Sequence, residues 1–309
     1  MRAENQIALP GGRKLAYAEF GRTDGAPVLY FHGSPSSRLE PLLIGDEVLN
    51  RIGLKVIAPD RPGIGGSDFQ SSRRLTDWPA DVTALADALH LDRFAVLGNS
   101  GGGPYVAVCA ARIPNRVHAA VIVSGGWRMD WPEARKGLPF PNRAMLFLAR
   151  RAPFLLRLML GMMGGVAQGE REKELAQLKK RVPPADYAAF VEPGRLEAFG
   201  RSMRECLRQG AKGAAWDLGL YVREFGFRLD EVRVPLTLFH GEQDANAPIA
   251  MVRRAVAQLP SARLITYPNE AHLSTLCNYM GEVGQALLGQ ASQMAGQAEP
   301  GAAADGGGM

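Results

Sequence analysis

The chain has 309 residues, 46% apolar and 22% charged, a globular composition that excludes a disordered or fibrous protein. Its three cysteines, Cys109, Cys206 and Cys277, lie far apart with no paired spacing, which excludes a disulfide framework and a zinc site. The net charge of +5 is concentrated in residues 127–230, where 19 Lys and Arg face 12 Asp and Glu, yet no nucleic-acid-binding motif accompanies it, so a solvated helical surface is expected.

Residues 1–12 contain no apolar run of signal-peptide type, and with reduced cysteines this reads as a cytoplasmic protein. Residues 13–20 predict a strand. Residues 27–31 form a second, ended by His32-Gly33, and 54–58 a third, ended by Asp60-Arg61-Pro62-Gly63. A helix is expected over 77–91, with apolar side chains at Val82, Leu85, Ala86 and Leu89. The strand 94–97 stops at Gly98, the helix 103–113 follows, and the strand 117–124 stops at Gly125-Gly126. Continuous apolar runs suit strands buried on both faces. Alternation of such runs with helices predicts an α/β fold with a doubly wound, mostly parallel sheet.

The rhythm stops at Gly126. About a hundred residues follow with only helical signals, broken at Pro139, Pro141, Pro153, Pro183-Pro184 and Pro193. The rhythm returns with a strand at 236–239, a helix at 248–259, a strand at 262–267 and a helix at 273–288. The expected division is a core over 1–126 and 234–290, a helical cap over 127–233 between the sixth and seventh core strands, and a disordered Gly/Ala-rich tail over 291–309. No apolar run reaches 18 residues, so stable membrane insertion is not expected.

The strongest chemical signal is Gly98-Asn99-Ser100-Gly101-Gly102 between a strand and a helix. A nucleophile on so tight a turn needs a strained backbone, and residues two before and two after it have no room for a Cβ. Gly98 and Gly102 meet that demand. The helix start and the Gly101 N–H are aimed at the same point, where an oxyanion would develop. A serine needs a base. Of five histidines, His90 and His118 read as structural, and His32 and His240 precede glycines at strand ends. His272 follows the last strand on a loop at the sheet's carboxyl edge and is the expected base. Asp244 follows a strand end between the two and is the expected orienting acid, with Glu242 and Asp130 as alternatives. The loop His32-Gly33-Ser34-Pro35 is expected to supply a second oxyanion donor, the Ser34 N–H, on a turn that Gly33 permits and His32 stabilises.

These segments resemble the α/β-hydrolase superfamily, through HGSP at 32–35, DRPGIGGSD at 60–68, GNSGG at 98–102, GEQD at 241–244 and EAH at 270–272. The resemblance implies a capped serine hydrolase, carboxylesterase-like, with the triad Ser100, His272 and Asp244 and no metal or cofactor. Its partner would be a small-molecule substrate; the resemblance leaves the oligomeric state open. Serine at the elbow argues against epoxide hydrolases and haloalkane dehalogenases, which use aspartate there. C–C bond, amide and lactone hydrolysis, a prolyl-iminopeptidase-like activity and a ligand-binding receptor remain alternatives. Six of the eleven methionines (Met129, Met145, Met159, Met162, Met163 and Met203) fall in the cap. With Phe140, Phe147, Phe154 and Leu155 they read as helix–helix core or as a deformable ceiling over an apolar substrate. A free histidine as base predicts activity rising through about pH 6.5.

Overall fold

The computed structural model describes residues 1–164 and 171–295, with side chains described for 1–162 and 171–289. Its strands are β1 (Arg2–Ala8), β2 (Lys14–Gly21), β3 (Ala26–Phe31), β4 (Leu54–Pro59), β5 (Phe94–Asn99), β6 (Val117–Val123), β7 (Leu236–Gly241) and β8 (Ala262–Tyr267). They form one sheet in the order β1-β2-β4-β3-β5-β6-β7-β8. β2 pairs antiparallel with both β1 and β4, and every later pairing is parallel. β1 is absent from the sequence reading. Its residues alternate between exposed and half-buried, so it carries no apolar run to mark it.

The helices are α1 (Asp46–Ile52), α2 (Trp78–Ala88), α3 (Gly103–Arg112), α4 (Pro132–Gly137), α5 (Phe140–Arg151), α6 (Pro153–Gly164), α7 (Arg171–Leu178), α8 (Pro184–Val191), α9 (Arg195–Cys206), α10 (Lys212–Leu220), α11 (Ile249–Val256), α12 (His272–Asn278) and α13 (Met280–Ala295). The segment between β6 and β7 is helical among the described residues, α4 to α10. The helix expected over 273–288 is two, α12 and α13, and α13 continues past residue 290, where the tail was expected to begin. Residues 296–309 of that tail lie outside the described residues.

The parallel strands serve two cores at once. Leu29, Phe31, Val96, Ala120 and Ile122 face one cluster, together with α2, α3 and α11 and side chains of the insert. Val28, Tyr30, Ala95, Leu97, Ala119, Val121 and Val123 face the other, with Leu49 of α1 and Val283 and Leu287 of α13. Alternate residues of one strand point to opposite faces, so both must be apolar when both faces are covered. That is why these strands read as unbroken apolar runs. A third, smaller cluster joins Leu43 of the core to Phe190, Ala198 and Leu273. It seats α8 and α9 of the insert beside α12.

Candidate active site

β5 ends at Asn99, a single 3-10 turn covers Ser100–Gly102, and α3 begins at Gly103. Ser100 has φ +52°, a left-handed conformation that a non-glycine residue holds only when its surroundings force it. The surroundings here are glycines. A Cβ at Gly98 would lie 2.6 Å from the Gly102 carbonyl oxygen, and one at Gly102 would lie 1.9 Å from that of Phe31. Any larger residue at either position would push the turn off the sheet edge. The Ser100 carbonyl is held in place by the Gly126 N–H at 2.8 Å.

The loop after β3 lies against this turn. A Cβ at Gly33 would stand 3.2 Å from Ser100 Cβ and 3.7 Å from its hydroxyl. One at Gly101 would stand 3.0 Å from Ser34 Cβ. Thus Gly33, Ser34, Ser100 and Gly101 come together, although 66 positions separate Ser34 from Ser100 in the chain. His32 is fully buried. Its Nδ1 lies 2.8 Å from the Gly33 carbonyl, and its Nε2 accepts from the Arg61 N–H at 3.4 Å. Burial, with the Arg61 charge beside it, drives its pKa well below the ordinary histidine value. It is therefore a neutral ring engaged with the backbone.

His272 opens α12, and Asp244 lies beyond β7. His272 Nδ1 is 2.7 Å from Asp244 Oδ2. The other oxygen, Oδ1, accepts from the Asn246 and Ala247 N–H groups, both at 2.8 Å. With its carboxylate so fixed, Asp244 selects the tautomer that carries the proton on Nδ1 and leaves Nε2 able to accept one. Burial opposes a charged imidazole. The charge and hydrogen bond of Asp244 outweigh it, with Asp186 and Glu40 behind, and push His272 up to about 9. That departs from the free-histidine value expected from sequence, because the carboxylate is buried against the ring. Asp244 itself is lowered despite burial, because His272 and His240 face it. Burial lowers the His240 pKa, and its Nε2–H donates to the Ala247 carbonyl, 2.8 Å away.

The alternative acids are engaged elsewhere. Asp130 takes Arg128 through two bonds of 2.7 Å, and Glu242 pairs with Arg253 at 3.3 Å. His90 sits in a left-handed turn after α2, and His118 is on β6.

A polar layer beneath the site escaped the sequence reading. Glu40 Oε2 accepts from the Gly33 N–H and from the Tyr30 hydroxyl, both at 2.8 Å, in a fully buried setting that raises its pKa. Arg61 donates to the carbonyls of His32 and Gly33, the latter at 2.7 Å. Asp217 of α10 receives Arg61 and Arg73, each at 2.8 Å, and the Tyr105 hydroxyl at 2.6 Å. Burial would raise its pKa, but the two guanidinium groups hold it far below the carboxylate range. Tyr221, one residue past α10, donates to the Gly101 carbonyl at 2.8 Å. The insert therefore grips both the loop after β3 and the turn after β5. The sole signal in the sequence was a lone acid inside an apolar helix, Gly213-Ala214-Ala215-Trp216-Asp217-Leu218. Asp186 of α8 makes a further grip, accepting from the Leu273 and Ser274 N–H groups at 2.8 and 2.9 Å.

The side chains singled out in the sequence between β6 and β7 divide. Met145 and Met159 pack against the main core, and Met129 reaches the Gly126 backbone beside Ser100. Phe140, Phe147, Phe154, Leu155 and Met162 are exposed and form neither core nor ceiling, and the side chain of Met163 lies outside those described. The reason is geometric: Ala149, Leu156 and Leu160 fill the inward faces of α5 and α6 and leave these side chains outward.

Comparison with known proteins identifies the fold family. The chain is 40% identical over 284 residues to a non-heme chloroperoxidase of Streptomyces lividans, covering 86% of this chain and 92% of that protein. It is 26% identical over 279 residues to a bifunctional esterase/perhydrolase of Acinetobacter calcoaceticus, covering 86% and 92%. An alpha/beta hydrolase fold protein from Nakamurella multipartita superposes with a TM-score of 0.67 at 24% identity, over 94% of this chain and 99% of that one. Residues 26–278 match the family described as the alpha/beta hydrolase fold, and the chain belongs to that family.

Proposed function

We propose that the protein is a serine hydrolase that cleaves a small to medium apolar carboxylic ester through an acyl-enzyme. The carrying observation is the 2.7 Å contact from His272 Nδ1 to a buried Asp244, at the sheet edge that also bears Ser100 on its strained turn. His272 Nε2 takes the Ser100 proton as Ser100 Oγ attacks the acyl carbon. Asp244 steadies the imidazolium that forms. The N–H groups of Gly101 and Ser34 receive the oxyanion, each worth about 3 kcal/mol of barrier. The alcohol leaves with the proton from His272. Water, deprotonated by the same ring, then clears the acyl group. The neutral Met129 side chain beside the elbow supports an apolar substrate. Residues 127–233, as a cap, would close over it.

Initial rates on p-nitrophenyl esters of increasing acyl length test this reading. Turnover is expected with the unaltered chain, with the preferred length sizing the site, and Ser100→Ala is expected to abolish it while remaining folded. Full activity in a folded Ser100→Ala chain would overturn the assignment.

A relative named as a bifunctional esterase/perhydrolase supports a second reading, in which hydrogen peroxide replaces water at deacylation and releases a peracid. Peracid formed from ester and peroxide in a Ser100-dependent manner would support it.

A further inference from the structure

Helices α5 and α6 both pack on α10 and bury Ala149, Leu156 and Leu160. Their outward sides carry Phe140, Phe147, Phe154, Leu155, Leu158 and Met162, each more than half exposed. These account for six of the nine large apolar side chains exposed among the described residues, so the exposure is local and not scattered. Phe140 and Phe147 lie two helical turns apart on α5, and Phe154 follows the break at Ala152 in the first turn of α6.

Exposed arginines lie on the same two helices: Arg143, Arg150, Arg151 and Arg157. None of them forms a salt bridge among the described residues. Arg150 lies near enough to Asp130 to lower its pKa, but Asp130 is already held by Arg128. Residues 134–169 contain six Lys and Arg and no Asp or Glu. A second copy of the chain is a poor occupant, because a two-fold contact would set this cationic face against itself. Arginines stand beside the aromatics at every second turn, Arg143, Arg150 and Arg157 each following a phenylalanine by three residues. Mixed aromatic and cationic helices lying flat suit a surface with an apolar interior and anionic headgroups.

We propose that the outward faces of α5 and α6 dock the protein on a bilayer carrying anionic phospholipid. The aromatic and aliphatic side chains enter the headgroup–acyl boundary, and the arginines pair with phosphates. No helix of the described residues is long and apolar enough to cross a membrane, so the contact is peripheral and reversible. It adds a site on the opposite side of α5 and α6 from α10, whose adjoining Tyr221 touches Gly101.

The test is co-sedimentation of the full chain with vesicles of phosphatidylcholine alone and of phosphatidylcholine with phosphatidylglycerol at roughly two to one. Binding to the anionic vesicles is expected, at least about tenfold tighter than to the neutral ones and weakened by salt. Phe147→Asp with Phe154→Asp is expected to abolish it. Arg150→Glu with Arg151→Glu is expected to remove the preference for anionic vesicles. All four positions are exposed, so circular dichroism and melting temperature should stay unchanged in both variants. No binding by the unaltered chain would overturn the proposal, as would undiminished binding by the folded aspartate variant. A dimer in analytical ultracentrifugation, lost in the aspartate variant without any vesicle binding, would assign the face to a second copy. The readout uses no ester turnover, so its failure is separate from failure of the hydrolase reading.

Discussion

At the scale of single residues the site is governed by one buried hydrogen bond. Asp244 holds the His272 proton on Nδ1 and raises the ring to about 9. As the proposed base, His272 would work only when neutral, so kcat/KM should keep climbing from pH 7 through about 9, with a profile between pH 6 and 10 as the check. A plateau reached near the free-histidine value of about 6.5 would show that Asp244 does not control the ring. Stability carries the opposite sign. A histidine raised on folding stabilises the fold fully below its unfolded value of about 6.5, and the contribution is lost as pH rises to about 9. Asp244→Asn should flatten that loss and cut kcat by about 10³–10⁴-fold, because the amide favours the wrong tautomer. Rates and melting temperatures measured on the same variant separate the two effects.

At the scale of elements, the turn after β5 and the loop after β3 are shaped by groups far from both. Arg61 anchors the His32 and Gly33 carbonyls, and Asp217 of α10 neutralises Arg61 and Arg73 together. All three charged groups are buried. Removing the central anion strands two buried guanidinium groups, so Asp217→Asn should cost about 3–5 kcal/mol in urea unfolding. A loss below about 1 kcal/mol, the range of an exposed pair, would mean that water reaches the arginines. Glu40 performs the matching task on the other side of the loop, accepting from the Gly33 N–H.

At the scale of the whole molecule, the segment between β6 and β7 is stitched to the sheet at several separate points. Asp217 meets Arg61, Glu205 meets Arg38, Ser202 Oγ meets the Ser37 N–H at 3.1 Å, and Asp186 meets the start of α12. The insert also shares the larger core with α2 and α3. Insert and sheet are therefore expected to unfold together. Tryptophan fluorescence, which samples Trp78 and Trp127 in the buried core and Trp131 and Trp216 in or beside the insert helices, should give the same midpoint as circular dichroism. Two separated transitions would show that the insert is an independent unit.

The sequence by itself determined the buried strands of the sheet and the turn after β5. Strands covered on both faces must be apolar throughout, and a strand-to-helix turn this tight must be flanked by glycine, so both leave local marks at 27–31, 94–97, 98–102 and 236–239. The order of Ser100, Asp244 and His272 could be read for the same reason, since each follows a strand end. Only the tertiary structure decided which acid meets the ring, because Asp244, Glu242 and Asp130 are chemically alike and differ in where the chain leaves their partners. Only it located Glu40, Arg61 and Asp217, whose roles depend on burial and, for Arg61 and Asp217, on a contact across 156 positions. It also turned Phe140, Phe147 and Phe154 outward. Helical spacing specifies that a face is apolar but not whether protein covers it, and the inward side of α5 and α6 was already filled by alanine and leucine.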